Sequence, residues 1–218
     1  MSKPPELAFH PLTPDRFPDL VRLFGPRGAC GGCWCMWWKL SRPEFVSGKG
    51  EGNRRALEEL VRGGTVPGLL AYAGGEPVGW CAVEPRSAYP RLARARTLRP
   101  VDDLPVWSIT CFFVARAWRG KGVTAALVEA AVAHARAAGA PAVEAYPVEP
   151  RGPTADAFVY TGLASTFLRC GFEEVARRSP TRPIVRRDAA RGPAQAAARR
   201  RARKARQTMG RKRRSSTR

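Results

Sequence analysis

Residues 115–139 read ARAWRGKGVTAALVEAAVAHARAAG, and the apolar run VWSITCFFV ends directly before them at Val114. A bulky run rich in β-branched and aromatic residues reads as a strand, and the alanine-rich stretch after Gly122 reads as a long helix. The turn between them carries Arg119, Gly120, Lys121 and Gly122. Glycine lets the backbone approach a bound group, and a helix start presents free N–H groups and the positive end of its dipole. A turn of this composition is suited to an anion, and a phosphate or diphosphate is the expected occupant.

Two common phosphate-binding motifs can be weighed against it. The Walker turn needs two glycines five apart followed by Lys and Ser or Thr, whereas Gly120 and Gly122 are two apart with no such ending. The dinucleotide fingerprint fits better. Gly120, Gly122 and Ala125 match G-x-G-x-x-A, and Glu144 falls where a ribose-binding acid would lie. That unit nevertheless occurs once, in mid-chain, and after hairpins rather than among repeated strand-helix pairs.

The flanking sequence sets the frame. Residues 6–12 read as a strand, and Thr13 and Pro14 lead into a helix carrying Phe17, Leu20, Val21 and Phe24. A glycine- and cysteine-rich loop follows, then a helix over 52–62 closed by Gly63 and Gly64. Two strands around Gly74-Gly75 form a hairpin signal. Residues 86–105 are polar without a clear period. After the central strand and helix come a strand over 142–148, a helix over 163–169 ended by Gly171, and a last hairpin within 173–187. The expected class is α/β (α+β), with a mixed, mostly antiparallel sheet, helices on both faces and one central β-α-β unit.

The chain of 218 residues suits one globular domain with an extension. Its net charge of +20 is uneven, because residues 186–218 hold fourteen Lys or Arg against one Asp. We divide it into a domain over 1–186 and a basic tail over 187–218, whose lack of large apolar residues predicts disorder or conditional helicity. No apolar run reaches membrane-spanning length and the first residues lack a signal-peptide core, so a cytoplasmic protein without membrane contact is expected. Six cysteines in such a chain read as thiols. With two histidines, His10 and His134, a His-rich metal centre or a Ser-His-Asp triad is not expected.

The segment 115–139 resembles the acyl-CoA-binding unit of the GNAT superfamily of N-acetyltransferases. The family pattern, Gln/Arg-x-x-Gly-x-Gly/Ala, starts here at Arg119 with Gly122 as its glycine. A second stretch, LASTFLRCGFEEVARR, is similar to the later family helix that ends in a Gly-Phe pair. The resemblance spans about residues 6–186 and implies acetyl-CoA as the acyl donor. It implies that the backbone of Arg119, Gly120, Lys121, Gly122, Val123 and Thr124 holds the diphosphate, although Thr124 departs from the usual Gly or Ala. It also implies that Phe112 and Val114 align the pantetheine arm as an added strand. The usual general acid, a Tyr five residues before the Phe of the pair, is Phe167 here, so Tyr160 is the substitute candidate. For the base, Glu84, Asp102, Asp103 and Glu144 are candidates, with Glu144 preferred.

Within CGGCWCMWW, Cys30, Cys33 and Cys35 form a C-x2-C-x-C array with no evident fourth ligand, so no metal is assigned. By family position this loop lines the acceptor side, where Trp34, Met36, Trp37 and Trp38 would form an apolar, cation-attracting wall. The loop and the later VGWCAVEPR are also similar to an uncharacterised bacterial branch of the superfamily. In the tail, Arg199, Arg200, Arg201, Arg203, Lys204 and Arg206 would meet nucleic acid or ribosome through phosphates, without base readout. The reading is transfer of an acetyl group to a small-molecule or peptide amine in a ternary complex. The alternative is a non-catalytic CoA-binding protein associated with nucleic acid.

Overall fold

A computed structural model describes residues 6–190. Seven strands, β1 (Ala8–Pro11), β2 (Gly68–Ala73), β3 (Glu76–Pro85), β4 (Trp107–Val114), β5 (Ala142–Ala145), β6 (Glu173–Arg177) and β7 (Pro183–Asp188), form one sheet ordered β1-β2-β3-β4-β5-β7-β6. The β4–β5 pair is parallel and every other neighbouring pair is antiparallel. A parallel pair needs a crossover, and the long helix predicted after Gly122 supplies it. The β2–β3 hairpin turns at Gly74 (φ 56°) and Gly75 (φ 83°), two consecutive positive-φ positions that match the twist of the strands.

Six α-helices are present among the described residues: α1 (Phe17–Phe24), α2 (Arg42–Ser47), α3 (Glu51–Arg62), α4 (Pro90–Arg94), α5 (Val123–Ala137) and α6 (Ala164–Arg169). Alternation along the pleat divides β2 and β3 between two cores. Leu69, Ala71, Cys81 and Val83 pack with Leu127, Val128 and Ala131 of α5 and Phe167 of α6. Leu70, Tyr72, Trp80 and Ala82 pack with Leu20 and Phe24 of α1 and Leu57 and Val61 of α3. Gly79 permits α5 to lie close on β3, since a Cβ there would stand 3.0 Å from a methyl of Val123. The mixed sheet with helices on both faces is thus as expected.

Several boundaries differ from the sequence reading. The strand expected to reach Val148 ends at Ala145, and Val148 makes an isolated bridge to Leu163. β7 runs to Asp188, past the expected end of the domain at 186, because Arg187 is buried and donates to the Cys170 carbonyl and to Glu129. The helix α2 was not anticipated. Its signal stands in the sequence as Ser41-Arg-Pro-Glu44, where Ser41 and Glu44 cap each other's backbone N–H groups. The basic residues Arg199, Arg200, Arg201, Arg203, Lys204 and Arg206 lie outside the described residues. No described helix is long and apolar enough to cross a membrane.

Candidate active site

The β4–β5 ladder is short, pairing Trp107–Ile109 with Val143–Ala145 and no further. Beyond it a cleft of about 930 Å³ is bounded by the end of β4, the start of α5, the cysteine-tryptophan loop and the segment Asp156–Tyr160. A bulge shapes the floor. Ile109 faces Val83 and Cys111 faces Ala82, which leaves Thr110 as the extra residue. The added residue reverses the side-chain parity, so Ile109 and Phe112 join the α5 core while Cys111 and Phe113 join the α1 side.

Gly120 (φ 73°) and Gly122 (φ 81°) adopt left-handed backbone, and nothing lies within 4 Å of the place a Cβ would take at either. The first α5 bond runs from the Ala126 N–H to the Gly122 carbonyl at 3.1 Å. The N–H groups of Val123, Thr124 and Ala125 therefore have no acceptor within the helix, and all three residues line the cleft with Arg119, Gly120 and Gly122. Lys121 does not line it; its ammonium stands 5.1 Å from the Trp118 ring centroid. Arg119 donates from Nε to the Val114 carbonyl at 3.2 Å and from Nη1 to Asp156 at 2.6 Å.

The expected alignment on Phe112 needs correction. Its N–H donates to the Tyr160 carbonyl at 2.6 Å, so the loop before α6 already holds this donor. By the alternation of an antiparallel ladder, the Val114 N–H points to the same side of β4. The contact also sets Tyr160 at the cleft, together with Cys33 and Cys111. Burial pushes the Tyr160 phenol up to about 12, with Arg182 and Arg91 opposing the rise. Phe167 is fully buried against Phe112 and Phe172 and does not line the cleft.

The carboxylates expected to serve as base lie elsewhere. Glu144 is buried in an ion cluster, 2.7 Å from Arg186 and 3.5 Å from Arg86, and accepts from Tyr146 at 3.1 Å. Its negative charge is already neutralised, and it does not reach the cleft. Glu84 is buried beside Lys39, and Asp102 pairs with Arg186 at 2.7 Å on the surface. Asp103 is exposed and likewise absent from the cleft lining. Among the described residues, Asp156 is the one carboxylate that lines the cleft.

The cysteine-tryptophan loop divides between core and cleft. Trp37 and Trp38 line the cavity, whereas Trp34 and Met36 are buried in the α1–α3 core. Gly28 permits this, because a Cβ there would collide with the Trp34 ring. Asn53 pins the loop to α3 by donating to the Gly32 carbonyl at 3.0 Å and to that of Phe45 at 3.3 Å. Cys30, Cys33 and Cys35 line the cleft, and the Cys35 and Cys111 sulfurs are 3.2 Å apart. Hydrogen bonding between neighbouring thiols, then burial, raises Cys33 well above the ordinary thiol range. Cys35 is raised in the same way by Cys111. Both stay protonated near neutrality, which suits packing rather than nucleophilic attack. Cys111, Phe113 and Asp156 were not foreseen. Their place depends on the bulge and on the fold of the 149–162 loop, neither of which has a local signature.

The profile of the acetyltransferase (GNAT) family matches residues 34–159. A search among curated proteins finds no match. Among solved structures, the chain is similar to a GNAT-family acetyltransferase from Listeria monocytogenes 4b F2365, with 10% identity and a TM-score of 0.53, covering 84% of this chain and 94% of that one. It is also similar to an N-acetyltransferase from Staphylococcus aureus Mu50, with 11% identity and a TM-score of 0.50, covering 84% and 99%. A GCN5-related N-acetyltransferase from Kribbella flavida matches at 17% identity and a TM-score of 0.44, over 78% of this chain, which spans 34% of that protein.

Proposed function

The chain belongs to the acetyltransferase (GNAT) family and is an acyltransferase, and from that premise we propose that it moves an acetyl group from acetyl-CoA to a primary amine by direct attack in a ternary complex. The observation that carries this reading is the turn at 119–124, where two left-handed glycines open the start of α5 onto the cleft. Free N–H groups at a helix start, the helix dipole and Arg119 suit a diphosphate. The cavity has room for an extended thiol arm beside β4, with the Val114 N–H as the main-chain donor.

Acetyl-CoA supplies an activated thioester. As the amine nitrogen bonds the acyl carbon, the carbon–sulfur bond breaks and the departing sulfur takes a proton. Tyr160 would give that proton from its phenolic oxygen, because it lines the cleft and, with its phenol raised to about 12, is protonated at neutral pH. The phenolate then regains a proton from solvent. The amine's proton leaves to solvent, with no carboxylate of the acceptor wall needed. Titration calorimetry with CoA, followed by thiol release from acetyl-CoA over an amine panel, tests the reading. Binding heat and release with at least one primary amine are expected, and absence of binding heat would overturn it.

Asp156 occupies Arg119 in the free protein. Both side chains are substantially exposed, at 71% and 46%, so the pair is weak. Asp156→Ala is expected to tighten CoA binding by about 2- to 5-fold, since it frees a cation and removes a competing anion. Calorimetry at low salt checks this, and weaker binding in the variant would show that the loop supports the ligand rather than competing with it.

A further inference from the structure

The cleft is charged at one end and uncharged at the other. The ionised side chains that line it are Arg119, Asp156 and Arg169. Arg119 and Asp156 meet at 2.6 Å beside the turn, and Arg119 also holds the Val114 carbonyl at the end of β4. Arg169 lies at the same end, on α6, where its neighbour Cys170 meets the Ala125 carbonyl of α5 at 3.8 Å. A strand rises about 3.3 Å per residue, so Cys111 stands about 10 Å along β4 from Val114. At that depth the Cys35 and Cys111 sulfurs are 3.2 Å apart, which fixes the cysteine-tryptophan loop against the strand. Cys33, Trp37 and Tyr160 pack against the cluster that holds Cys35, Phe45 and Cys111, and the Trp38 ring lies edge-on to Trp37 at 6.4 Å. All of these residues line the cleft, and none of them is a Lys, Arg, His, Asp or Glu. One face of the Trp37 indole is covered by the Arg91 guanidinium, 3.6 Å from the ring centroid, so that face is not open to an ammonium.

An ammonium that enters such a place loses its hydration and meets no carboxylate in return. Asp156 cannot compensate it, being held by Arg119 at the other end. An amine that is neutral at neutral pH escapes this cost. The wall also favours one shape. Aromatic edges and sulfurs make their best contacts with a flat ring. Building on the acetyl-transfer reading, we infer that the acceptor is an arylamine, its ring seated among Trp37, Trp38 and the Cys33 and Cys111 sulfurs and its amino group toward Tyr160. The lone pair of an arylamine is already free, so no base has to unload it before attack. As its nitrogen bonds the acetyl carbon, the carbon–sulfur bond breaks and Tyr160 gives its proton to the sulfur. The nitrogen, now positive, sheds one proton to solvent, and the phenolate takes one up. The products are an aryl amide and the free thiol. Alkylamines reach the same place only through their minor free-base fraction.

The test is a calorimetric titration of the CoA-loaded protein with p-toluidine and with benzylamine, isomers that differ in whether the nitrogen is on the ring. At about pH 7, p-toluidine should bind at least about 10-fold more tightly. Its affinity should stay level as the pH rises, whereas that of benzylamine should climb about tenfold per pH unit toward its own pKa. Cys33→Asp, which sets a carboxylate into the wall, should tighten benzylamine by about 10-fold and reverse the preference; a CoA titration reports that the variant is folded. Equal binding of the isomers, no heat from p-toluidine, a level benzylamine profile, or a preference unchanged in Cys33→Asp would each overturn the assignment. Octanoyl-CoA binding more than about 10-fold more tightly than acetyl-CoA would give the wall to a longer acyl chain and overturn it too. Thiol release from acetyl-CoA, measured in parallel, separates the two claims. Preference for p-toluidine without release on any amine sinks acetyl transfer and leaves the arylamine site standing. Release with benzylamine alone sinks the arylamine site and leaves acetyl transfer standing.

Discussion

Gly122→Val is expected to weaken CoA binding by more than about 100-fold, or roughly 2.7 kcal/mol, the largest effect on affinity of any single change in the turn. Gly122 caps α5 in left-handed backbone, with φ 81° and ψ 1°. A β-branched residue resists that conformation, so the turn would rearrange or hold about 1–2 kcal/mol of strain. Nothing in the protein lies within 4 Å of the missing Cβ, so the fold itself has room for the side chain. In the proposed binding mode the side chain would compete with the diphosphate for the approach to the N–H groups of Val123 and Thr124. Binding should therefore suffer far more than stability. Gly122→Ala should fall between wild type and Val, since it adds a Cβ without branching. Calorimetry with CoA, beside thermal unfolding of the same samples, checks both halves. A valine variant that binds CoA within about 3-fold of wild type would remove the turn from the binding site.

The second large effect is on turnover. Tyr160→Phe is expected to lower kcat by about 100- to 1000-fold, with acetyl-CoA affinity changed by less than about 2-fold. Phenylalanine keeps the ring, and the main-chain bond from the Phe112 N–H to the Tyr160 carbonyl is untouched. What is lost is the proton on the phenolic oxygen. Burial raises that phenol to about 12, so it stays protonated across the neutral range. A general acid works only while protonated, so no falling limb from Tyr160 should enter the kcat profile between about pH 7 and 10. A rising limb in that window belongs to the acceptor amine losing its proton. Single-turnover rates from pH 6.5 to 10 measure this directly. An unchanged kcat in Tyr160→Phe would return Tyr160 to a packing role.

The residues differ in how far they could be read in advance. Gly120 and Gly122 announced themselves, because glycines bearing cations between a strand and an alanine-rich helix leave few conformations open. Phe167 could be identified as a non-acid from a count back from the Gly-Phe pair, and its burial agrees with that chemistry. Glu144 could not be judged in the same way. A glutamate near the end of a strand reads alike whether it faces ligand or two arginines, and Arg86 and Arg186 come from positions 58 and 42 residues away. Trp34 and Trp37 sit three residues apart in one loop. Left-handed backbone at Trp34 (φ 42°) and Cys35 (φ 56°) sends one indole into the core and leaves the other at the cavity.

By itself, the sequence determined the order of strands and helices apart from α2 and α4, the helices on both faces of the sheet and the glycine-bearing turn, because periodicity and glycine backbone freedom act over a few neighbouring residues. The tertiary structure alone decided which side chains face the cleft. The Thr110 bulge inverts the parity of β4, β4 and β5 part after three paired residues, and the loop before α6 takes the Phe112 N–H while bringing Asp156 to Arg119. Each of these joins atoms far apart along the chain. Their energies come from packing and charge compensation between distant segments, which leave no mark on local spacing.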